Sequence, residues 1–436
     1  MKKVLAKIVG FFLKEHTAKY IVVTGLFLVT FSVLVHLAIA DVVSNVFGTV
    51  VGFLLSSMLL YVGKIFVGRM EDMLKINYDT DKLLEIYSGG TNYKKTLVSR
   101  KRKPDETEET APAVSFAYAD AFVNKEGLTY KDFRVEDNPQ KYFALDGFAE
   151  GNYATIFSAH ANSAKRNFDT IRLDRYDPEN KTFYLSRSTY FNHLVTNRAV
   201  DFQIFDDVSL RTIYEYGPKL NSLENSRMSN HVGINALVFL KDGELLIPRR
   251  KNDSTISKNK ITSSIAVMLN FPEEYKNDPK KAVISVEYLL KENIFKNLSS
   301  RVKLPEKEIK REETQIDFLG FGQNIYEGGK PQFYFCVKLN NIDANAYREK
   351  RKEYEDEQKR QNKKEFLDVD KCMYVADFDS FRYGKNCVKF EALKKNGKTR
   401  KVKVGFEMSY LCNLWHYEAC KEAKQEKNVQ ADCAAV

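Results

Sequence analysis

Two apolar runs near the start constrain this chain most: Tyr20 to Ala40 and Val42 to Gly63, separated by Asp41. A helix that crosses a bilayer core of about 30 Å needs roughly 20 apolar residues, and each run is that long. The first holds no formal charge, and Lys64 behind the second can snorkel to the interface. So short a connection predicts a transmembrane helical hairpin over 20–68. Basic residues stay on the cytoplasmic side of a span. Lys2, Lys3, Lys7, Lys14, Lys19, Lys64 and Arg69 flank the runs, which predicts a multi-pass protein of the inner (cell) membrane with both termini cytoplasmic. A cleaved signal peptide ending at Ala38-Ile39-Ala40 is the competing reading, but its apolar run is usually only about 7 to 15 residues.

Around the hairpin, Val4, Ile8, Phe11 and Phe12 recur at helical spacing with lysines on another face, so 1–19 reads as a basic interfacial helix. Ser44, Gly48, Gly52 and Ser56 repeat every fourth residue, giving a packing face for the same hairpin or for a second protomer. The formal net charge of +10 suits an anionic partner, a lipid surface or a phosphate-bearing ligand, although a solvated basic surface also accounts for it. The six cysteines form no close pair of the kind that holds zinc and are expected as free thiols in a reducing cytosol.

Residues 69–112 segregate their charges and read as a linker with a short helix at Asp81 to Tyr87. Residues 113–230 form the N-terminal part of the cytosolic region. They include a β-hairpin, Thr170 to Tyr176 with Lys181 to Ser188. Residues 231–425 hold the sharpest pattern. Gly233 to Leu240 and Glu244 to Arg250 are strands around a Lys241-Asp242-Gly243 turn. A Ser/Thr loop follows at Thr262 to Ser264, then an amphipathic helix over Lys281 to Leu298 and strands at Ile316 to Phe321 and Gln332 to Leu339. Asp343 to Lys364 is a charged helix or insertion, Tyr374 to Phe381 a strand and Phe406 to Lys424 a helix; 426–436 is a loose tail.

A hairpin ending in Arg249-Arg250, a small-residue loop, a helix and further strands resembles the Nudix fold. With the two-span hairpin, the run Ser229 to Arg250 and the strand Phe318 to Gln323, the chain resembles SMODS-associated Nudix proteins of bacterial CBASS antiphage operons. The resemblance implies an α+β chain: the transmembrane hairpin, then a cytosolic Nudix-like mixed-sheet α/β/α domain with an N-terminal extension. The Nudix box itself is degenerate. With Glu287 on its first helical Glu, Val286 replaces the Arg, Leu290 and Lys291 replace the Glu pair and Asn293 replaces the Gly. Lys291 puts a cation where the metal belongs. Glu292, five residues from Glu287, points about 140° away at roughly 100° per residue. No catalytic residue, metal ligand or cofactor is therefore assigned.

What the pattern retains is a pocket with Arg249, Arg250, Ser263, Ser264 and Glu287 as ligand-binding residues. The expected function is that of a membrane-anchored sensor and effector. Its Nudix-like domain binds a nucleotide second messenger, by the resemblance a cyclic oligonucleotide, and drives homo-oligomeric hairpin assembly and membrane disruption. The partners are the messenger and the lipid bilayer, with no double-stranded nucleic acid. The alternatives are a membrane-tethered Nudix pyrophosphohydrolase and a structural membrane protein that recruits a partner through its basic surface.

Overall fold

The computed structural model describes Ile76 and residues 78–434 except 90, 102, 104, 108–109, 161–165, 206, 252–258, 276–277, 361–368 and 395–396; before Ile76 it describes only Gly52, Ser56 and Ser57. The chain divides into two compact units. One comprises Met1–Asn77, Leu145–Phe168 and Tyr190–Tyr214; the other comprises Tyr78–Ala144, Asp169–Thr189 and Glu215–Val436.

The second unit is built on a nine-stranded mixed sheet. Its strands are β3 (Ala119–Val123), β7 (Gly233–Leu240), β8 (Leu245–Arg250), β9 (Ile265–Met268), β10 (Thr314–Asn324), β11 (Lys330–Leu339), β12 (Val369–Gly384), β13 (Cys387–Leu393) and β14 (Thr399–Val404). The spatial order is β14-β13-β12-β8-β7-β11-β10-β3, with β9 also on β7. Only β7 and β11 run parallel within it. Every residue of β7 is buried, as expected of a strand covered on both faces. Ile234, Ala236 and Val238 face one core with Phe333 and Phe335, whereas Leu237 and Phe239 face a second core with Tyr334 and Cys336.

The two faces carry different covers. Over the first lies a helix ending in α6 (Asn293–Val302), which buries Ile294 and Leu298. Phe183 of a three-stranded sheet joins the same core; this sheet has the order β4 (Arg134–Tyr142), β6 (Thr182–Thr189), β5 (Asp169–Asp177). Over the second lies α8 (Met408–Ala434), with Leu411 and Leu414 inward, beside a two-stranded sheet of β1 (Lys94–Val98) and β2 (Ala113–Ala117). The stretch read as a linker thus holds β1 and the helix α1 (Thr80–Ile86), while α8 runs through most of the expected tail. A charged helix, α7 (Ala344–Arg360), follows β11.

In the first unit α2 (Gly147–Gly151) is capped by Asp146, whose carboxylate accepts from the Ala149 N–H at 3.1 Å. Phe157 of α3 (Tyr153–Ser158) packs on Phe191 of α4 (Tyr190–Val195), with ring centres 4.7 Å apart, and α5 (Leu210–Tyr214) supplies Tyr214 to Asp146.

The sequence predicts a helix from Lys281, but Lys281 closes a single 3-10 turn, Ala282 is extended, and no regular element forms before Val286. The backbone there is already engaged: Arg187 donates to the Ala282 carbonyl at 2.8 Å, and Asp137 accepts from the Ile284 N–H at 2.7 Å. Helix begins at Val286 and passes at once into a π-helical turn, Tyr288–Glu292, in which the Asn293 N–H reaches the Tyr288 carbonyl. The Asn293 side chain donates to the Tyr288 carbonyl at 2.9 Å and also to that of Leu289, holding the expanded turn.

The expected transmembrane hairpin requires correction. Apart from Gly52, Ser56 and Ser57, both apolar runs, Ser44 and Gly48 included, lie outside the described residues, and among the described residues no helix is long and apolar enough to cross a membrane. Helix α8, at 27 residues, has the length, but Glu418, Lys421, Glu422 and Lys424 would enter the hydrocarbon. Gly52 and Ser56 are helical, and among the described residues nothing lies within 4 Å of a Cβ built at Gly52. The expected fold class is replaced by a mixed α/β one, and the bilayer partner, hairpin assembly and inner-membrane location are not carried forward.

Candidate functional site

Four segments of the larger unit converge on a cavity of about 320 Å³. The loop after β3 supplies Leu128 and Tyr130, the π turn and α6 supply Leu290, Lys291 and Phe295, and β10 supplies Ile316, Asp317 and Phe318. Cys420 and Lys424 come from α8, and Arg311 precedes β10. Asn124 fastens the loop: its amide donates to the carbonyls of Leu128 at 2.8 Å and Phe318 at 2.7 Å, and its oxygen accepts from the Leu128 N–H at 2.8 Å. A bulge in β10 sets the opposite wall. The register shifts between Phe318 and Gly320, and Gly320 takes φ +134°, a conformation that favours glycine.

Three cations stand over this apolar floor. Lys291 Nζ lies 5.2 Å from the centre of the Tyr130 ring, Arg311 lies 4.3 Å from that of Phe295, and Lys424 reaches Asp317 at 3.9 Å. Two of them are balanced from outside the cavity. Arg311 Nη1 donates to both carboxylate oxygens of Glu292 at 2.9 Å, and Lys291 pairs with Glu287 at 3.2 Å and more loosely with Glu292 at 4.0 Å. The 140° separation inferred for the two glutamates assumes α-helical pitch. With hydrogen bonds closing over five residues, the π turn swings Glu292 back toward Glu287, and Lys291 sits between them.

The Cys420 thiol lining the cavity is held in its neutral form. Burial pushes it up to about 11, and its Sγ donates to the carbonyls of Asn124 and Leu319, both at 3.4 Å. Tyr288, the first residue of the π turn, is also raised by burial, with Glu274 and Glu273 adding to the effect; its hydroxyl donates to the Asn270 carbonyl at 2.9 Å. The glutamates of a Nudix metal cage are largely absent. Among the described residues no group of three or more His, Cys, Asp or Glu side chains is placed to hold a metal ion.

The five ligand-binding residues expected from the sequence do not meet in this cavity. Arg250 turns to the opposite core, where its Nε donates to Glu407 at 2.5 Å. Arg249 is half-buried and bridges Ile261 through its backbone. Ser263 is buried and accepts from Asn413 at 3.3 Å. Ser264 serves the sheet. β7 pairs with β8 only at Val238 and Phe239 and with β9 before that, and at the fork the Ser264 hydroxyl accepts from the Val238 N–H at 2.9 Å and donates to the Leu246 carbonyl. Glu287 holds Lys291 from outside the cavity. The residues that sequence reasoning passed over, Arg311, Lys424, Tyr130 and Phe295, lie far apart in the chain and share no local motif.

No family model matches the chain, and no curated protein matches it. The resemblance to SMODS-associated Nudix proteins is accordingly withdrawn. The CBASS effector role, the nucleotide messenger and the tethered pyrophosphohydrolase depended on that resemblance, on the hairpin or on a metal cage, and they go with it.

Proposed function

We propose that the larger unit is a binding module for a small anion that carries a flat apolar ring. The observation behind this reading is the set of three cations, Lys291, Arg311 and Lys424, around a floor that includes Leu128, Leu290, Phe295 and Phe318. An anionic head would draw on charge-assisted hydrogen bonds, each contributing about 1.5–3 kcal/mol. A planar ring would rest on the aromatic side of the floor, as in other pockets that combine an apolar lining with few polar groups. The neutral thiol of Cys420 favours binding without chemistry.

Titration calorimetry of the full chain against phenyl phosphate, benzoate and inorganic phosphate tests the reading. Burying a phenyl ring contributes about 2 kcal/mol, so phenyl phosphate is expected to bind roughly thirtyfold more tightly than inorganic phosphate. Equal affinity for the two would remove the apolar floor from the account, and binding of neither aryl anion would remove the site.

A further inference from the structure

The chain's net charge is concentrated in one place. Residues 385–404 contain Lys385, Lys389, Lys394, Lys395, Lys398, Arg400, Lys401 and Lys403 against the single Glu391, a net of +7 out of +10 for all 436 residues. This segment is the β13–β14 hairpin, which ends the nine-stranded sheet. Among the described residues β14 pairs with β13 alone, so the backbone along its other side is an open edge. Its register places Lys403 directly opposite Lys389 and Lys401 opposite Glu391. Like charges facing each other across a ladder are destabilising. Of the carboxylates on this face, Glu391 pairs with Lys101 at 2.5 Å and faces Asp377 of β12 across the ladder. Lys389, Lys401 and Lys403 are exposed, and no ion pair joins them to a described carboxylate.

Lysine on an edge strand commonly serves to block edge-to-edge association, and here it excludes a second copy of this equally basic hairpin. The same arrangement selects for the opposite charge. We infer that the outer edge of β14 receives an acidic, extended peptide from a partner protein, added as a further strand with carboxylates at alternate positions against Lys401 and Lys403. The spacing fits. Same-face side chains repeat about every 6.6 Å along any strand, so a neighbouring strand keeps in step with both lysines, while its backbone satisfies the edge groups that a bare polyanion would leave unpaired.

The test uses the full chain and three fluorescein-labelled probes: an octapeptide alternating Glu and Val, one alternating Glu and Pro, and a single-stranded oligothymidine of twenty nucleotides. Pro cannot donate to a ladder, so the Glu-Pro peptide keeps the charge and loses the strand. By fluorescence anisotropy, the Glu-Val peptide should bind at least tenfold more tightly than the Glu-Pro peptide and more tightly than the oligonucleotide. K401E/K403E should weaken it at least tenfold and K401Q/K403Q by an intermediate factor, both with an unchanged circular dichroism spectrum. The inference is overturned by equal binding of the two peptides, by tighter binding of the oligonucleotide, by no peptide binding, or by no change in K401E/K403E. Equal peptides would mean that charge alone is read, and the oligonucleotide result would mark a nucleic-acid surface.

Discussion

Asp137 and Arg187 form an ion pair with no exposure on either side chain, at 2.6 Å from Nη1 and 2.8 Å from Nη2. Arg187 further donates to the carbonyls of Ser186 and Ala282, and its guanidinium lies 5.3 Å from the Phe271 ring centre. The pair fixes Ala282 and Ile284, the approach to the helix that carries Lys291, against the three-stranded sheet. Asp137→Ala leaves a buried guanidinium without its counter-charge, which costs about 3–5 kcal/mol. With a urea m-value of about 3 kcal/mol/M, the unfolding midpoint should fall by about 1–1.7 M. Emission of Trp415, the single tryptophan, reports unfolding of the same unit. Replacing both partners by apolar residues, Asp137→Leu with Arg187→Met, should recover much of the loss, because the desolvation cost of both charges disappears together. A midpoint shift for Asp137→Ala under about 0.3 M would refute the view that this pair anchors the helix approach.

Ser264→Ala should cost about 1–3 kcal/mol, since it leaves the buried Val238 N–H and Leu246 carbonyl without their bridge, and should leave phenyl phosphate affinity unchanged; lost binding in a variant of normal stability would return Ser264 to the ligand site. Gly320→Ala should be destabilising by more than about 2 kcal/mol in urea unfolding, because its Cβ would lie 2.2 Å from the Phe122 carbonyl oxygen at a φ that disfavours side chains; wild-type stability would contradict the β10 bulge. Burial, reinforced by a hydrogen bond with Asp242, raises the Glu244 carboxyl to about 7 from 4.5. The folded chain therefore holds a proton that the unfolded chain releases, and this contribution is fully present below about pH 4.5 and lost as pH rises through about 7. Glu244→Gln should flatten the stability profile between those values and raise the urea midpoint at pH 8; an unchanged profile would contradict the assignment.

The elements legible in the sequence are those whose pattern is local. Gly233 to Leu240 is β7 with its expected bounds, the hairpin of Thr170 to Tyr176 with Lys181 to Ser188 falls in β5 and β6, and the helix expected over Phe406 to Lys424 falls in α8. What escaped depends on partners distant in the chain. The helix does not begin at Lys281, because Arg187 and Asp137, 95 and 147 residues before their partners, hold the backbone at Ala282 and Ile284. The π turn depends on an amide side chain, Asn293, that a count of apolar positions passes over. Arg249-Arg250 and Ser263-Ser264 looked like ligand contacts because charged and hydroxyl residues stood at a strand end and in a loop. Burial turned Arg250 to Glu407 and Ser264 to the strand fork. The cavity itself draws a few residues from each of four segments distant in the chain, so no window of sequence contains it.

The most direct measurement is the affinity of the Lys291→Gln/Arg311→Gln double variant for phenyl phosphate relative to the unaltered chain, with stability followed in parallel. Loss of two charge-assisted contacts, with Glu287 and Glu292 left unneutralised near the anion, predicts at least a tenfold weaker Kd at an unchanged unfolding midpoint. An unchanged Kd would contradict the claim that these cations form the binding site.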